Sequence, residues 1–249
     1  MTRKQQVADA FAAAATTYDS AATAQAEAAD RMVELVAGLA LPARPTVLEV
    51  GCGTGLLTRR LLPRIGGDWL VTDLSQTMVA TAKAAVASDA AQFRVMDAEH
   101  PDAPLGLFDL IVSNLAAQWF CDLGRAVNQL RACLAPGGTL VLSTLGAGSF
   151  AQWRDAHQAQ GLSSGIPDYP DAAALAAQLP AGARIVTQTI EVGHADAFDF
   201  VRALKRIGAG TPVLGHAPLS AGALRKVMRA MGAPVTITYV IHFALIAAE

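Results

Sequence analysis

Three glycines and one acid carry the clearest chemical signal in this chain. Residues 46–55 read T-V-L-E-V-G-C-G-T-G, a short apolar run (Val47, Leu48, Val50) that must turn sharply. Gly51, Gly53 and Gly55 allow that turn and let the backbone approach a ligand closely. Asp73 ends the next apolar run, W-L-V-T-D at 69–73, where a carboxylate can accept two hydrogen bonds from the hydroxyls of a ribose. Together they read as a nucleoside site. The spacing is G-x-G-x-G and Leu56 follows it, so the dinucleotide pattern G-x-G-x-x-G with its small third position does not fit.

The elements that must hold these residues alternate strictly. Strands are expected at 46–50, 69–73, 92–96, 108–114 and 139–145, with helices at 55–64, 76–87 and 122–135 between them. Pro63 with Gly66-Gly67 should close the first of those helices, Ser75 should cap the second, and Pro136-Gly137-Gly138 should end the third. Such β-α alternation predicts an α/β fold, a doubly wound parallel sheet with helices on both faces. Ligands bind beyond the carboxyl ends of such strands. Gly51, Asp73, Asp97 and Asn114 all fall on that rim.

Around this core, helices are expected at 3–17 and 21–39, closed by Pro42 and Pro45. The alternation breaks after residue 146. A helix and a Gly/Ser/Pro-rich loop occupy 147–183, strand six is 184–192, a helical insertion runs over roughly 195–231, and strand seven is 235–247. The expected organisation is one domain over 1–249: a helical cap (1–42), a cofactor-binding core (43–146), insertions forming a lid over the acceptor (147–183 and 194–234), and two final antiparallel strands (184–193 and 235–249).

Composition narrows the partners. Apolar residues make up 53% of the 249, enough for a large core, and the net charge is −2. No long basic run marks the surface for nucleic acid or an anionic membrane, and apolar stretches such as 239–248 are too short to span a bilayer. Asp9 interrupts what would otherwise resemble an export signal. Cys52, Cys121 and Cys133 are odd in number and lack metal-ligand spacing, which fits a reducing cytoplasm and predicts no metal site.

With Glu49, the loop becomes E-x-G-x-G-x-G, which resembles motif I of the class I S-adenosylmethionine-dependent methyltransferases. That resemblance implies a Rossmann-like seven-stranded sheet and S-adenosyl-L-methionine as cofactor, with S-adenosyl-L-homocysteine as product. It implies that Glu49, Gly51, Cys52, Gly53, Gly55 and Leu56 surround the methionine end, and that Asp73 with Leu74 holds the ribose. Met78 faces the cofactor, Asp97-Ala98 meets the adenine, and Asn114-Leu115 lines the methionine end. Trp119 can wall the acceptor pocket. Methyl transfer from a sulfonium is one in-line displacement, so alignment and exclusion of water supply most of the acceleration. A base is needed only where the acceptor arrives protonated, and no Ser-His-Asp order or carboxylate pair offers one.

Longer segments are more specific. F-D-L-I-V-S-N-L-A-A-Q-W at 108–119, K-Q-Q-V-A-D-A-F-A-A-A-A-T-T-Y-D at 4–19, A-L-K-R-I-G-A-G at 203–210 and T-Y-V-I-H-F-A-L at 238–245 resemble the malonyl-acyl-carrier-protein O-methyltransferases of biotin synthesis. That family esterifies the free carboxylate of a malonyl thioester, removing a charge so that the chain can be elongated toward pimeloyl. The resemblance implies an acyl carrier protein bearing the malonyl group as partner, with Tyr18 closing over the cofactor. Arg154 is the candidate anchor for the malonyl carboxylate, since guanidinium pairs with carboxylates through a planar fork. His157 and Lys205 are further acceptor-side candidates, and Lys205 with Arg206 could meet the carrier or its phosphate. Two segments depart from the family pattern: Thr211 is displaced by one behind Ala209-Gly210, and 161–170 lacks a His/Asn stretch. Two other readings remain open here. One is methylation of another small acceptor, with Tyr18 or His157 as base. The other is an assembly factor of this fold for a respiratory complex, whose relatives share the tyrosine region and S-x-L-x-x-x-W.

Overall fold

The computed structural model describes residues 2–101 and 105–248. Part of the Pro-rich turn expected at 100–106, and the last residue of the expected 235–249 segment, lie outside the described residues. Seven strands form one sheet: β1 (Thr46–Val50), β2 (Asp68–Asp73), β3 (Ala91–Val95), β4 (Phe108–Ser113), β5 (Leu134–Leu145), β6 (Arg184–His194) and β7 (Val235–Ala247). Their order is β3-β2-β1-β4-β5-β7-β6. β1 through β5 run parallel, and β7 lies antiparallel between β5 and β6. The central strands are apolar on both faces, with Val47, Leu48, Leu110, Ile111, Val112 and Leu140 fully buried, because helices cover both sides. β1 and β4 are neighbours whose crossovers leave in opposite directions, and that switch point opens the crevice at their carboxyl ends.

The helices are α1 (Arg3–Ala14), α2 (Thr23–Ala37), α3 (Thr58–Ile65), α4 (Gln76–Val86), α5 (Leu123–Arg131), α6 (Ala151–Gln158), α7 (Ala172–Ala176), α8 (Ala197–Arg206) and α9 (Ala221–Met231). Ser75 caps α4 as expected, its hydroxyl accepting from the Met78 N–H. Gly66 closes α3 as expected, while the roles of Pro63 and of Pro136-Gly137-Gly138 are corrected. Pro63 lies within α3, which runs on to Gly66 at φ 61°; so near the C-terminus, the missing N–H forfeits only one late bond. Pro136-Gly137-Gly138 does not terminate α5, which stops at Arg131, but lies inside β5. There Phe108 pairs with Leu134 and Leu110 with Thr139, so the intervening residues bulge out of the ladder. A Cβ on Gly138 would meet the Phe108 carbonyl at 2.8 Å, which is why glycine stands there. No helix among the described residues is long and apolar enough to cross a membrane.

Candidate active site

The first cavity, of about 120 Å³, lies beyond the carboxyl ends of β1 to β4 and beneath α1. Gly51, Gly53, Asp73, Leu74 and Met78 line it from the first two strands and their loops; Asp97, Ala98, Asn114 and Leu115 line it from the next two. Gly51 holds φ 70°, and a Cβ there would come within 2.5 Å of the Ala116 Cβ, so the motif loop and the β4 loop touch backbone to side chain. Asp73 is held by two amides: Gly53 N–H donates to Oδ2 (2.9 Å) and Ser75 N–H to Oδ1 (2.8 Å). Burial raises its pKa, and the amides of Ser75, Gly53 and Leu74 oppose that rise. The amides fill only part of the carboxylate's acceptor capacity, which leaves it able to accept from a ribose hydroxyl.

Glu49, Cys52, Gly55 and Leu56 do not line this cavity, contrary to their expected place around the methionine end. Glu49 is buried behind the loop, and the Thr58 hydroxyl donates to its carboxyl at 2.6 Å. Burial, with Asp73 nearby, pushes the Glu49 pKa to about 8. A Cβ on Gly55 would meet Val86 and Ala82 of α4 at 3.1–3.3 Å, so this glycine serves helix packing. Asn114 is likewise engaged inward: its amide donates to the Gln25 carbonyl (3.1 Å) and its oxygen accepts from Ser143 (2.9 Å). The same Ser143 oxygen accepts from Leu115 N–H (2.8 Å), fixing Leu115 at φ 50°.

Asp97 has an unexpected partner. Lys4 of α1 donates to both its oxygens (2.6 and 2.7 Å) and pairs with Glu99 at 2.6 Å. Burial works against these charges, yet the mutual hydrogen bonds prevail, holding Lys4 above its usual pKa and Asp97 and Glu99 below theirs. Glu99 also accepts from the amides of Cys121 and Asp122. At its other end the N-terminal segment is pinned by Asp19, which accepts from Thr54 and pairs with Arg59, both at 2.5 Å. α1 thus lies strapped across the cavity, with Val7, Ala8 and Phe11 forming its roof. Sequence reasoning missed Lys4, for which no local pattern gives a signal.

A second, larger cavity of about 480 Å³ lies under the helices after β5. Phe11, Tyr18, Leu115 and Trp119 line both cavities and form the wall between them. Phe11 packs edge-on against Trp119 (5.5 Å) and tilted against Tyr18 (6.2 Å). Burial, with Asp73 and Asp19 nearby, pushes the Tyr18 phenol far above its ordinary pKa, so the hydroxyl keeps its proton and can donate. The rest of the second cavity is mostly aromatic and aliphatic, from Phe150, Trp153, Tyr169 and Tyr239, with Lys205, His157 and His216 as its basic groups. His157 Nδ1 is tied to the Trp153 carbonyl (2.8 Å), and burial lowers its pKa. Arg154 is not among the lining residues. Its guanidinium turns to the Pro167 carbonyl and to Asp168 (3.4 Å). Gly208, at φ 74°, sits where a Cβ would meet Ala10 and Phe11 backbone at 2.7–2.8 Å, so the end of α8 closes directly on α1. No group of three or more His, Cys, Asp or Glu among the described residues could hold a metal ion.

Residues 47–138 match the family model described as a methyltransferase domain. The chain is 43% identical over 226 residues to a biotin biosynthesis bifunctional protein of Bordetella avium, covering 90% of this chain and 48% of that longer protein. It is 39% identical over 218 residues to a malonyl-[acyl-carrier protein] O-methyltransferase of Magnetococcus marinus, covering 86% of this chain and 80% of the relative. Among solved structures, the YcgJ protein of Bacillus subtilis shares the fold at a TM-score of 0.62 and 15% identity, over 90% of this chain and 98% of that one. The chain therefore belongs to the malonyl-[acyl-carrier protein] O-methyltransferase family, S-adenosylmethionine-dependent methyltransferases of the class I fold.

Proposed function

We propose that this protein transfers the methyl group of S-adenosylmethionine to the free carboxylate of a malonyl thioester on acyl carrier protein, supplying the methyl ester from which pimeloyl synthesis for biotin begins. The observation that carries this reading is the shared wall: two cavities, one on the nucleoside rim and one under the lid, meet at Phe11, Tyr18, Leu115 and Trp119. The relatives named for malonyl-carrier methylation and for biotin biosynthesis support the choice of acceptor.

S-Adenosylmethionine supplies a methyl on a sulfonium, which leaves as a neutral thioether. Asp73 is suited to the ribose hydroxyls, and Leu74, Met78 and Ala98 offer apolar surface for the base and its sugar. Asp97 lines the same cavity, although Lys4 shares it. On the acceptor side a carboxylate is already ionised at neutral pH, so no base is required and no proton moves. The Tyr18 hydroxyl, which stays protonated and lines both cavities, would donate to the reacting carboxylate, and Lys205 would supply a cation from the cavity wall. The aromatic wall keeps water from the oxygen that must reach the methyl carbon. A reducing cytoplasmic setting agrees with three free cysteines.

Intact-mass spectrometry of malonyl-carrier protein, incubated with enzyme and S-adenosylmethionine, tests the reading. A gain of one methyl that an esterase removes is expected. No gain, with cofactor binding demonstrated separately, would refute it.

A further inference from the structure

We infer that the exposed faces of α8 and α9 form the docking surface for the acidic carrier protein that delivers the acceptor, an inference that rests on the reaction proposed above. Between Asp199 and Glu249 the sequence contains no acidic residue, yet it contains Arg202, Lys205, Arg206, Arg225, Lys226 and Arg229. All six are exposed. The whole chain carries −2, so this concentrated positive stretch sits on a molecule that is otherwise acidic.

Clustering without intervening acids sets this stretch apart. Elsewhere Arg31 pairs with Glu34, Arg44 with Asp68, Arg59 with Asp19 and Arg60 with Asp30, and the exposed Arg64, Lys83, Arg125 and Arg184, which have no ion pair among the described residues, lie singly on four different elements. On α8, Arg202 leans on Asp199 (3.3 Å) and Arg206 donates to Ser20 (2.6 Å). Lys205, Arg225, Lys226 and Arg229 have no ion-pair partner among the described residues. Uncompensated like charges on neighbouring helices add into one field, which steers an oppositely charged surface and raises its encounter rate.

Position supplies the second argument. The two helices also edge the acceptor cavity, through Lys205 and Leu204 of α8 and Leu224 of α9, with Leu219 just before α9. Between them Leu214 is 76% exposed, an apolar point within a charged rim. A macromolecule whose substrate arm enters this cavity past Leu204, Lys205 and Leu224 lies over these helices. The cations are spread along two helices, which suits an acidic protein face better than one small anion.

The test compares two acceptors with one enzyme. Triple charge reversal, R225E/K226E/R229E, touches none of the cavity-lining residues. It should lower kcat/KM for malonyl-carrier protein roughly ten- to hundred-fold and leave kcat/KM for malonyl-pantetheine within about twofold. Neutralisation, R225Q/K226Q/R229Q, should give an intermediate loss, and added salt should reduce the unmodified enzyme's rate on the carrier substrate only. Unchanged carrier kinetics in the reversed variant would overturn the docking surface, and so would an equal loss on both acceptors. Unmodified enzyme that methylates neither acceptor would refute the proposed reaction instead. Docking is then decided by fluorescence anisotropy of labelled carrier lacking the malonyl group: binding to the unmodified chain and not to the reversed one upholds it, and equal binding overturns it.

Discussion

On the cofactor side of the molecule, charge is answered internally. Asp97 and Glu99 share Lys4, Asp19 takes Thr54 and Arg59, and Asp73 is fixed by the amides of Gly53 and Ser75. On the acceptor side, α8 and α9 carry cations that the rest of the described chain leaves unanswered, above a cavity walled mainly by aromatic rings. A small rigid cofactor rewards a preformed polar frame. A substrate brought by another molecule leaves part of its recognition to that molecule. The difference also separates the residues that bind from those that only support: Asp73 lines a cavity, whereas Glu49 and Gly55 hold the loop from behind.

The sharpest break of this comparison is Asp73→Ala. It removes the rim carboxylate and should weaken cofactor binding by about 1–3 kcal/mol, the scale of a lost charged hydrogen-bond partner, as read by calorimetry. Acceptor KM at saturating cofactor should not move. Normal cofactor affinity would contradict the ribose assignment.

Lys4→Met is next, because it leaves buried Glu99 and Asp97 without their cation. A loss of about 1–2 kcal/mol in denaturant unfolding is expected, with weaker cofactor binding as the roof loosens. The pH sign follows from the depressed carboxyl pKa values of Asp97 and Glu99. Their contribution is complete above the ordinary carboxylate range and is lost as pH falls through the lowered values. The variant should therefore show a flatter acid limb in its stability profile, and an unchanged limb would contradict the strap.

On the acceptor side, Lys205→Met should raise acceptor KM roughly tenfold, about 1.4 kcal/mol, if the cavity cation meets the carboxylate. Arg154→Ala, whose guanidinium is turned to Pro167 and Asp168, should leave acceptor KM within about twofold. The reverse ranking in steady-state kinetics would restore Arg154 as the anchor.

The smallest effect belongs to Glu49→Gln. Its folded pKa of about 8 lies above the ordinary 4.5, so its contribution to stability is complete below the unfolded value and is lost as pH rises through about 8. The glutamine variant should melt near the unmodified protein at neutral pH and lose less stability toward pH 9. A large loss at neutral pH would show that the carboxylate form is needed.

The sheet was largely legible in the sequence because its strands are short apolar runs punctuated by glycine, proline and acids, and β1 and β7 fall where periodicity places them. P-G-G at 136–138 misled, since the same residues that stop a helix also permit a bulge, and only the pairing with β4 decides between them. In the site, residues at strand ends were readable from position alone: Gly51, Asp73, Asn114. Lys4 was not, because it reaches Asp97 across 93 residues of chain and no local spacing encodes that contact. Arg154 carried the right chemistry for a carboxylate, but the conformation of the 161–170 loop decides where its fork points. His216 joins His157 on the cavity wall because the loop after α8 folds back over Gly165, a contact that no local spacing encodes.

The most direct measurement is a crystal structure with S-adenosylhomocysteine and malonyl-pantetheine bound together. The malonyl carboxylate is expected against Tyr18, Leu115 and Trp119, with one oxygen facing the sulfur across the gap a methyl group would fill. A carboxylate seated away from that wall, or an acceptor bound outside the lid cavity, would contradict the shared-wall site.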